Sequence, residues 1–253
     1  MQEAQHNNVN MGVVYDVFSE AFRKADQLPT WRFVGKPAME KLLQSSFGPN
    51  TRFLDFGSAS ARVEVGVLLP NGVVASNITG VEISPEQVAM AQGRIPEAHF
   101  IVGDVSDTSL LSEQSGSYDV VFLHMVSEHL DDAQFARTCA NAHRLLKSGG
   151  MFAFVVTHPD KMTNLDGSLV TTYGAFKTTA PWGGELHNYR RSIADTVQTV
   201  KNAGFDVEVC EELQFSAEPP GGLDTEGLAD FEAAAKKYRK YPAIRLAIRA
   251  KKA

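Results

Sequence analysis

Three acids in this chain each close a short apolar run, and a glycine follows the first. Asp55 lies in Phe53-Leu-Asp-Phe56, Glu82 ends Ile78-Thr-Gly-Val-Glu82, and Asp104 ends His99-Phe-Ile-Val-Gly-Asp104. Each run reads as a strand, and a carboxylate at the end of the second can accept both hydroxyls of a ribose. Gly57 allows a tight turn and a close backbone approach, and a helix expected from about Ala61 to Leu69 would aim its amide groups at whatever the turn holds. A strand, turn and helix this poor in glycine is also a plain structural junction, so the companions decide. Histidine changes charge near neutral pH and suits proton transfer. His124, Met125, Glu128 and His129 cluster at the end of Tyr118-Asp-Val-Val-Phe-Leu-His124, and His158 directly follows the run Met151 to Thr157. For any of these histidines a hydrogen-bonded structural role is the alternative.

The elements that position these residues alternate along the chain. Val13, Val14, Val17, Phe18, Ala21 and Phe22 recur at helical spacing and predict an amphipathic helix over Met11 to Ala25, and Lys36 to Phe47 predicts a second with Pro37 in its first turn. Ser84-Pro-Glu-Gln87 reads as a capped helix start, and Asp131 with Gln134 as another, in a helix running to Leu146 before Ser148-Gly-Gly150 stops it. Ser192 caps the next helix, Phe205 to Leu213 alternates as a half-exposed strand, and Ala243 to Ala250 is the last strand. From Pro159 to Asn188 the chain is polar and glycine-rich with embedded aromatics, a long loop of the kind that is usually functional.

These residues resemble a known family, the class I S-adenosylmethionine-dependent methyltransferases, particularly the small-molecule ones with a single Rossmann-like domain. The resemblance covers about Thr51 to Phe205 and is carried by Leu54-Asp-Phe-Gly57, Val81-Glu82, Gly103-Asp104, Tyr118 to His124, and Arg144-Leu-Leu-Lys-Ser-Gly-Gly150. Ser58-Ala-Ser-Ala61 stands where that family usually has glycines. The resemblance implies an α/β fold with a Rossmann-like, doubly wound, seven-stranded sheet whose last strand inserts antiparallel beside the fifth. It implies an N-terminal helical lid over residues 1–50 and a methyltransferase domain over 51–253, with substrate-lid insertions at about 159–188 and 214–242. S-adenosylmethionine is the implied cofactor. Asp55 with Gly57 would hold its methionine part, Glu82 its ribose, and Asp104 with Val105 would sit beside its adenine, with Ser58, Ala59, Ile83, His124 and Met125 also at the cofactor.

A sulfonium methyl is already activated, so such a protein must mainly align it with a nucleophile, exclude water and take up one proton where needed. His158 and His129 are the first choices for that proton, and His187 in the polar stretch is the third. Tyr15, Trp31, Tyr173, Trp182 and Tyr189 are the expected substrate contacts, with the alternative that Tyr15 and Trp31 merely pack the first helices onto the core. Leu123-His-Met-Val126 lacks the Asn/Asp-Pro-Pro-aromatic tetrapeptide of exocyclic base methylation, and Asp131 and Asp132 read as helix caps, so no metal site is expected.

At 253 residues, 43% hydrophobic and 21% charged, the chain has enough apolar surface for one core. A net charge of -6 argues against a nucleic-acid partner, because such affinity draws on Lys and Arg contacts with phosphate. Cys139 and Cys210 lack metal-type spacing, and no apolar run reaches the roughly 20 residues of a membrane span. A cytoplasmic protein, monomer or homodimer, acting on a small molecule is expected, without membrane or metal partners. The competing readings are a lyase or cyclase using the same cofactor, and a non-catalytic binding module.

Overall fold

Apolar runs covered on both sides form one seven-stranded sheet in the computed structural model, which describes residues 11–18, 24–181 and 183–253. In chain order the strands are β1 (Phe53–Phe56), β2 (Ile78–Glu82), β3 (His99–Val102), β4 (Tyr118–His124), β5 (Leu146–Thr157), β6 (Gly174–Thr179), β7 (Glu185–Arg190), β8 (Phe205–Leu213) and β9 (Arg245–Lys252). The sheet order is β3-β2-β1-β4-β5-β9-β8, with β6 and β7 set apart as an antiparallel hairpin. The first five strands pair in parallel, and β9 inserts antiparallel between β5 and β8. This is the Rossmann-like sheet with an antiparallel last strand that the resemblance implied.

The helices are α1 (Met11–Val17), α2 (Lys36–Leu43), α3 (Pro85–Arg94), α4 (Asp132–Leu145), α5 (Ile193–Asn202) and α6 (Thr225–Tyr238). Side chains fix their starts. Ser84 accepts from the Gln87 amide, Asp131 and Gln134 form both arms of a capping box, and Ser192 accepts from the Asp195 amide. A π-helical turn over Trp31–Gly35 leads into α2, and another over Glu64–Leu68 follows the β1 turn. The expected first helix is described only as far as Val17, since residues 19–23 lie outside the described residues.

Elsewhere the elements differ from expectation by whole segments. The stretch expected as a long loop contains the β6–β7 hairpin, and β5 starts at Leu146, not after the glycines, because Leu146 already pairs with Tyr118. The last strand lies two residues later than expected.

Alternation along the strands creates two faces. Leu54, Phe56, Val121, Leu123, Phe152, Phe154 and Ile248 pack against α4 and α5, whereas Phe53, Ile78, Val120, Phe122, Val155 and Ala247 pack against α2 and the helix after β1. Continuing the second pattern by twos toward the carboxyl ends of β1, β2, β4 and β5 reaches Asp55, Glu82, His124 and Thr157. The antiparallel β9 contributes Arg245, directly opposite Thr157. These five polar side chains form a row across one face, at the strand edge where open α/β sheets bind ligands.

Candidate active site

The turn after β1 is held from below and from the side. Gly57 and Ser58 amides donate to Val81 O at 2.7 and 3.1 Å, tying the turn to β2. Gly57 has φ +82°, and a Cβ there would lie 2.3 Å from Val126 Cγ2. Ala59 and Ala61 also take left-handed φ values of 45° and 64°. Glycine would adopt them freely, whereas alanine costs about 1–2 kcal/mol at each. Two anchors hold the strained stretch: the Ala59 amide donates to Glu82 Oε2 at 3.0 Å, and Arg94 Nη1 donates to Ser60 O at 2.7 Å. Glu82 Oε1 takes the Ser84 amide at 3.0 Å. Both Glu82 oxygens thus brace backbone, yet an ionised carboxylate has about four lone-pair sites and keeps two for ligand hydroxyls. Burial raises the Glu82 carboxyl above its usual range, against the lowering effect of these amides.

Beneath the turn, Asp55 lies beside Glu64, and both are fully buried. Burial lifts the Glu64 carboxyl to about 7, and burial followed by Glu64 raises Asp55 well above the carboxylate range. No donor among the described residues reaches Asp55 Oδ1 or either Glu64 oxygen. A proton shared between the two carboxyls supplies the missing donor. Asp104 is exposed and accepts from the Ser106 amide at 2.7 Å, while the neighbouring Val105 is buried and Ile83 is exposed.

α1 and the Trp31–Gly35 turn cover this edge. Asp16 takes the Ser84 hydroxyl and, at 3.3 Å, the Glu86 amide, which seats α1 on the start of α3. That contact brings Tyr15 to within 3.0 Å of His129 Nε2, while His129 Nδ1 lies 3.5 Å from His187 O. A proton on Nδ1 facing that carbonyl leaves Nε2 to accept from the Tyr15 hydroxyl. Burial, with Glu82 and Glu128 nearby, raises the Tyr15 hydroxyl far above its ordinary range and keeps it a donor. Trp31 packs edge-on against His124 with ring centres 4.9 Å apart. Burial first, then Arg62 and Arg245, holds His124 well below the imidazole range, so its ring is neutral at neutral pH. Met125 follows with φ 62°, its amide on Val155 O.

Other expected site residues are committed elsewhere. His158 is buried with both ring nitrogens in use: Nδ1 accepts from the Asp160 amide at 3.2 Å and Nε2 donates to Glu212 Oε2 at 2.8 Å. The ring of His187 lies 3.4 Å from Glu185. Tyr189 donates to Asp132, the exposed Tyr173 lies under Arg190, and Trp182 falls outside the described residues.

A family described as "Methyltransferase domain" matches residues 54–154. An uncharacterized methyltransferase of Synechocystis is 27% identical over 132 residues, which are 52% of this chain and 58% of the relative's length. An S-adenosylmethionine-dependent methyltransferase structure from Mesorhizobium loti superposes with a TM-score of 0.64 at 19% identity, covering 85% of this chain and 98% of that one. The methyltransferase-domain match spans residues 54–154, and the chain shares the fold of S-adenosylmethionine-dependent methyltransferases. Its fold is shared beyond methyl transfer: the [4+2]-cyclase SpnF superposes with a TM-score of 0.63 at 17% identity, covering 96% of this chain and 95% of that one.

The cofactor of this methyltransferase family is S-adenosylmethionine, and the residues present fit it. Ser58 Oγ, His124 Nε2 and Glu128 Oε2 are buried without a hydrogen-bond partner among the described residues, all at the turn or at the end of β4. Buried polar atoms left without partners are costly, and a polar cofactor supplies the partners. Glu64 and Arg62 lie at this cofactor end without having been expected there, and Arg245 ends the same row two strands away from His124. Two signals pointed to them: an acid inside the apolar run Val63-Glu-Val-Gly-Val-Leu68, and an arginine inside the last apolar strand.

Glu82→Ala is expected to lower affinity for S-adenosylhomocysteine at least about tenfold and to loosen the turn, because the carboxylate that braces this backbone is the one expected to hold the ribose. Glu82→Gln keeps one acceptor and should fall between. Calorimetric titration showing parent-like binding by Glu82→Ala would remove Glu82 from the site.

Proposed function

We propose that this protein transfers the methyl group of S-adenosylmethionine to a small-molecule acceptor. The row of polar side chains beside the Gly57 turn, roofed by α1, is the observation that supports the reading. When bound, the cofactor supplies a methyl already activated by the sulfonium. The chain's own residues have three tasks. Glu82 and the turn amides bind and orient, and α1 with the Trp31 turn excludes water. His129 handles the proton: with Nδ1–H directed to His187 O, Nε2 takes a proton that Tyr15 relays from the acceptor. The segments 1–50, 159–188 and 214–242 act as covers for cofactor and acceptor.

His158 carries the competing assignment for the proton, as the residue that follows β5 directly. Its two filled ring nitrogens favour a positioning cap on the strand end. His129→Ala and Tyr15→Phe are therefore expected to lower turnover at least about tenfold with cofactor affinity nearly unchanged, whereas His158→Ala should destabilise the fold more than it slows turnover. The reverse pattern would return the role to His158.

A second reading is a non-methylating reaction with the same cofactor on the same fold. It is favoured by alanines at positions 59 and 61 and by the likeness to a cyclase. Incubation with methyl-labelled cofactor and mass spectrometry separates the two. Methyl transfer gives S-adenosylhomocysteine and a labelled product, and a cyclase gives neither.

A further inference from the structure

The row of polar side chains ends in a cation that makes no ion pair among the described residues. Arg245 is 6% exposed, and its one side-chain hydrogen bond among the described residues runs from Nη1 to the adjacent Ile244 O at 3.0 Å. Its Nε is buried without a partner among the described residues, and no ion pair of the described residues includes it. Glu128 is the acid nearest in effect, but its Oε1 is occupied by the Thr157 hydroxyl at 3.0 Å and its Oε2 is unpartnered. A buried guanidinium without a bonded counter-ion is costly, and proteins keep such groups where something binds them.

A second cation shares the corner. Lys161 ends the short turn Pro159–Lys161 that leaves β5, its Nζ lies 5.5 Å over the Tyr238 ring, and no ion pair among the described residues includes it. Burial, then the charges of Arg245 and Lys237, lowers the Lys161 ammonium to about 7. Each cation thus destabilises the other, and an anion between them would relieve both.

The register places this corner on the same face of the sheet as His124. Arg245 faces Thr157 on β5, and His124 pairs with Val155 of the same strand, so Arg245 lies two strands from His124 on the same face. At about 4.8 Å per strand, that is about 10 Å across the sheet, the scale of a small organic molecule. Ile244, next to Arg245, belongs to the apolar cluster that joins Phe33 and Val34 of the π-helical turn to Phe231 and Tyr238 of α6.

We propose that Arg245 and Lys161 form an anion subsite and that the acceptor is a small organic acid whose carboxylate they hold. The forked guanidinium matches a carboxylate, and the lysine adds a point charge beside it. This rests on the methyl-transfer reading for the word acceptor, although the subsite itself can be tested without it.

The test uses 4-hydroxybenzoate and 4-hydroxybenzamide, alike in shape and differing in charge, titrated into the protein with S-adenosylhomocysteine bound. The acid should bind at least about tenfold more tightly than the amide. Arg245→Met and Lys161→Met should each erode that preference while S-adenosylhomocysteine still binds. Lys161 is half-buried at a turn, so its variant decides if Arg245→Met does not fold. Equal binding of acid and amide, no binding of the acid up to millimolar concentration, or a preference intact in Lys161→Met and in folded Arg245→Met would overturn the subsite. A charge preference in a protein that does not bind S-adenosylhomocysteine would keep the subsite and sink the methyl-transfer reading.

Discussion

Gly57→Ala is expected to abolish measurable cofactor binding while leaving a folded, less stable protein. Two costs coincide at this position. Its φ of +82° is left-handed, which alanine takes at about 1–2 kcal/mol. The added Cβ would also lie 2.3 Å from Val126 Cγ2, an overpacking that costs typically about 1–3 kcal/mol. Val126 cannot simply swing aside, because it packs on the core under α4 and follows Met125, itself held at φ 62°. The turn must therefore move instead, and the amides of Ser58 and Ala59 move with it. A shift of this size predicts at least about a hundredfold loss of affinity for S-adenosylhomocysteine. Gly72 is the control: it has the same φ of +82°, and a Cβ added there would meet nothing within 4 Å, so Gly72→Ala carries the backbone cost alone. Parent-like calorimetric binding by Gly57→Ala would show that the turn does not approach the cofactor. Restored binding in Gly57→Ala/Val126→Ala would identify the clash as the cause.

Strands buried on both faces were the most legible part of the fold. Ile78–Glu82 and Tyr118–His124 have the ends expected for them, because dense apolar runs have no other place to go. Phe205–Leu213 was readable for a different reason, the strict alternation of a strand with one face exposed. Caps were equally clear, since Ser84 and Asp131 satisfy amides within three residues of themselves. The β6–β7 hairpin was not. No residue of its first strand is fully buried, and Gly174-Ala-Phe-Lys-Thr-Thr179 carries no apolar run. What fixes the hairpin is tertiary: Arg190 bonds Pro159 O and Asp160, and Arg191 bonds Leu130 O and Asp132.

The site divides along the same line. Acids at strand ends are visible in a sequence because strand ends are. Which acids face one another depends on alternation and on what packs above, and this is how Asp55 comes to lie against Glu64, across a turn and the start of a helix. His158 shows the reverse. Its place after β5 was readable, but Glu212 reaches it from β8, two strands across the sheet, and no local signal announces that partner.

The Asp55–Glu64 pair should make stability depend on pH in a way that Glu64→Gln removes. Burial lifts Glu64 from its ordinary 4.5 to about 7, so between those values the folded protein holds a proton that the unfolded chain has released. Folding stability from this group is therefore complete below about 4.5 and is lost as pH rises through about 7, a fall of about 1–3 kcal/mol. Other groups titrate in the same window with the opposite sign. His124, depressed by burial and two arginines, costs stability as pH falls below the ordinary imidazole value. The informative quantity is thus the difference between parent and variant, from which His124 cancels. Glutamine has no proton to lose, and its amide can donate to the Asp55 carboxylate in place of the shared proton. Glu64→Gln should match the parent near pH 5 and exceed it by about 1–3 kcal/mol near pH 8, measured by urea denaturation at both. Asp55 stays buried and keeps part of the slope, so the variant flattens the dependence without erasing it. A parent–variant difference that is the same at both pH values would mean that the two carboxyls share no proton.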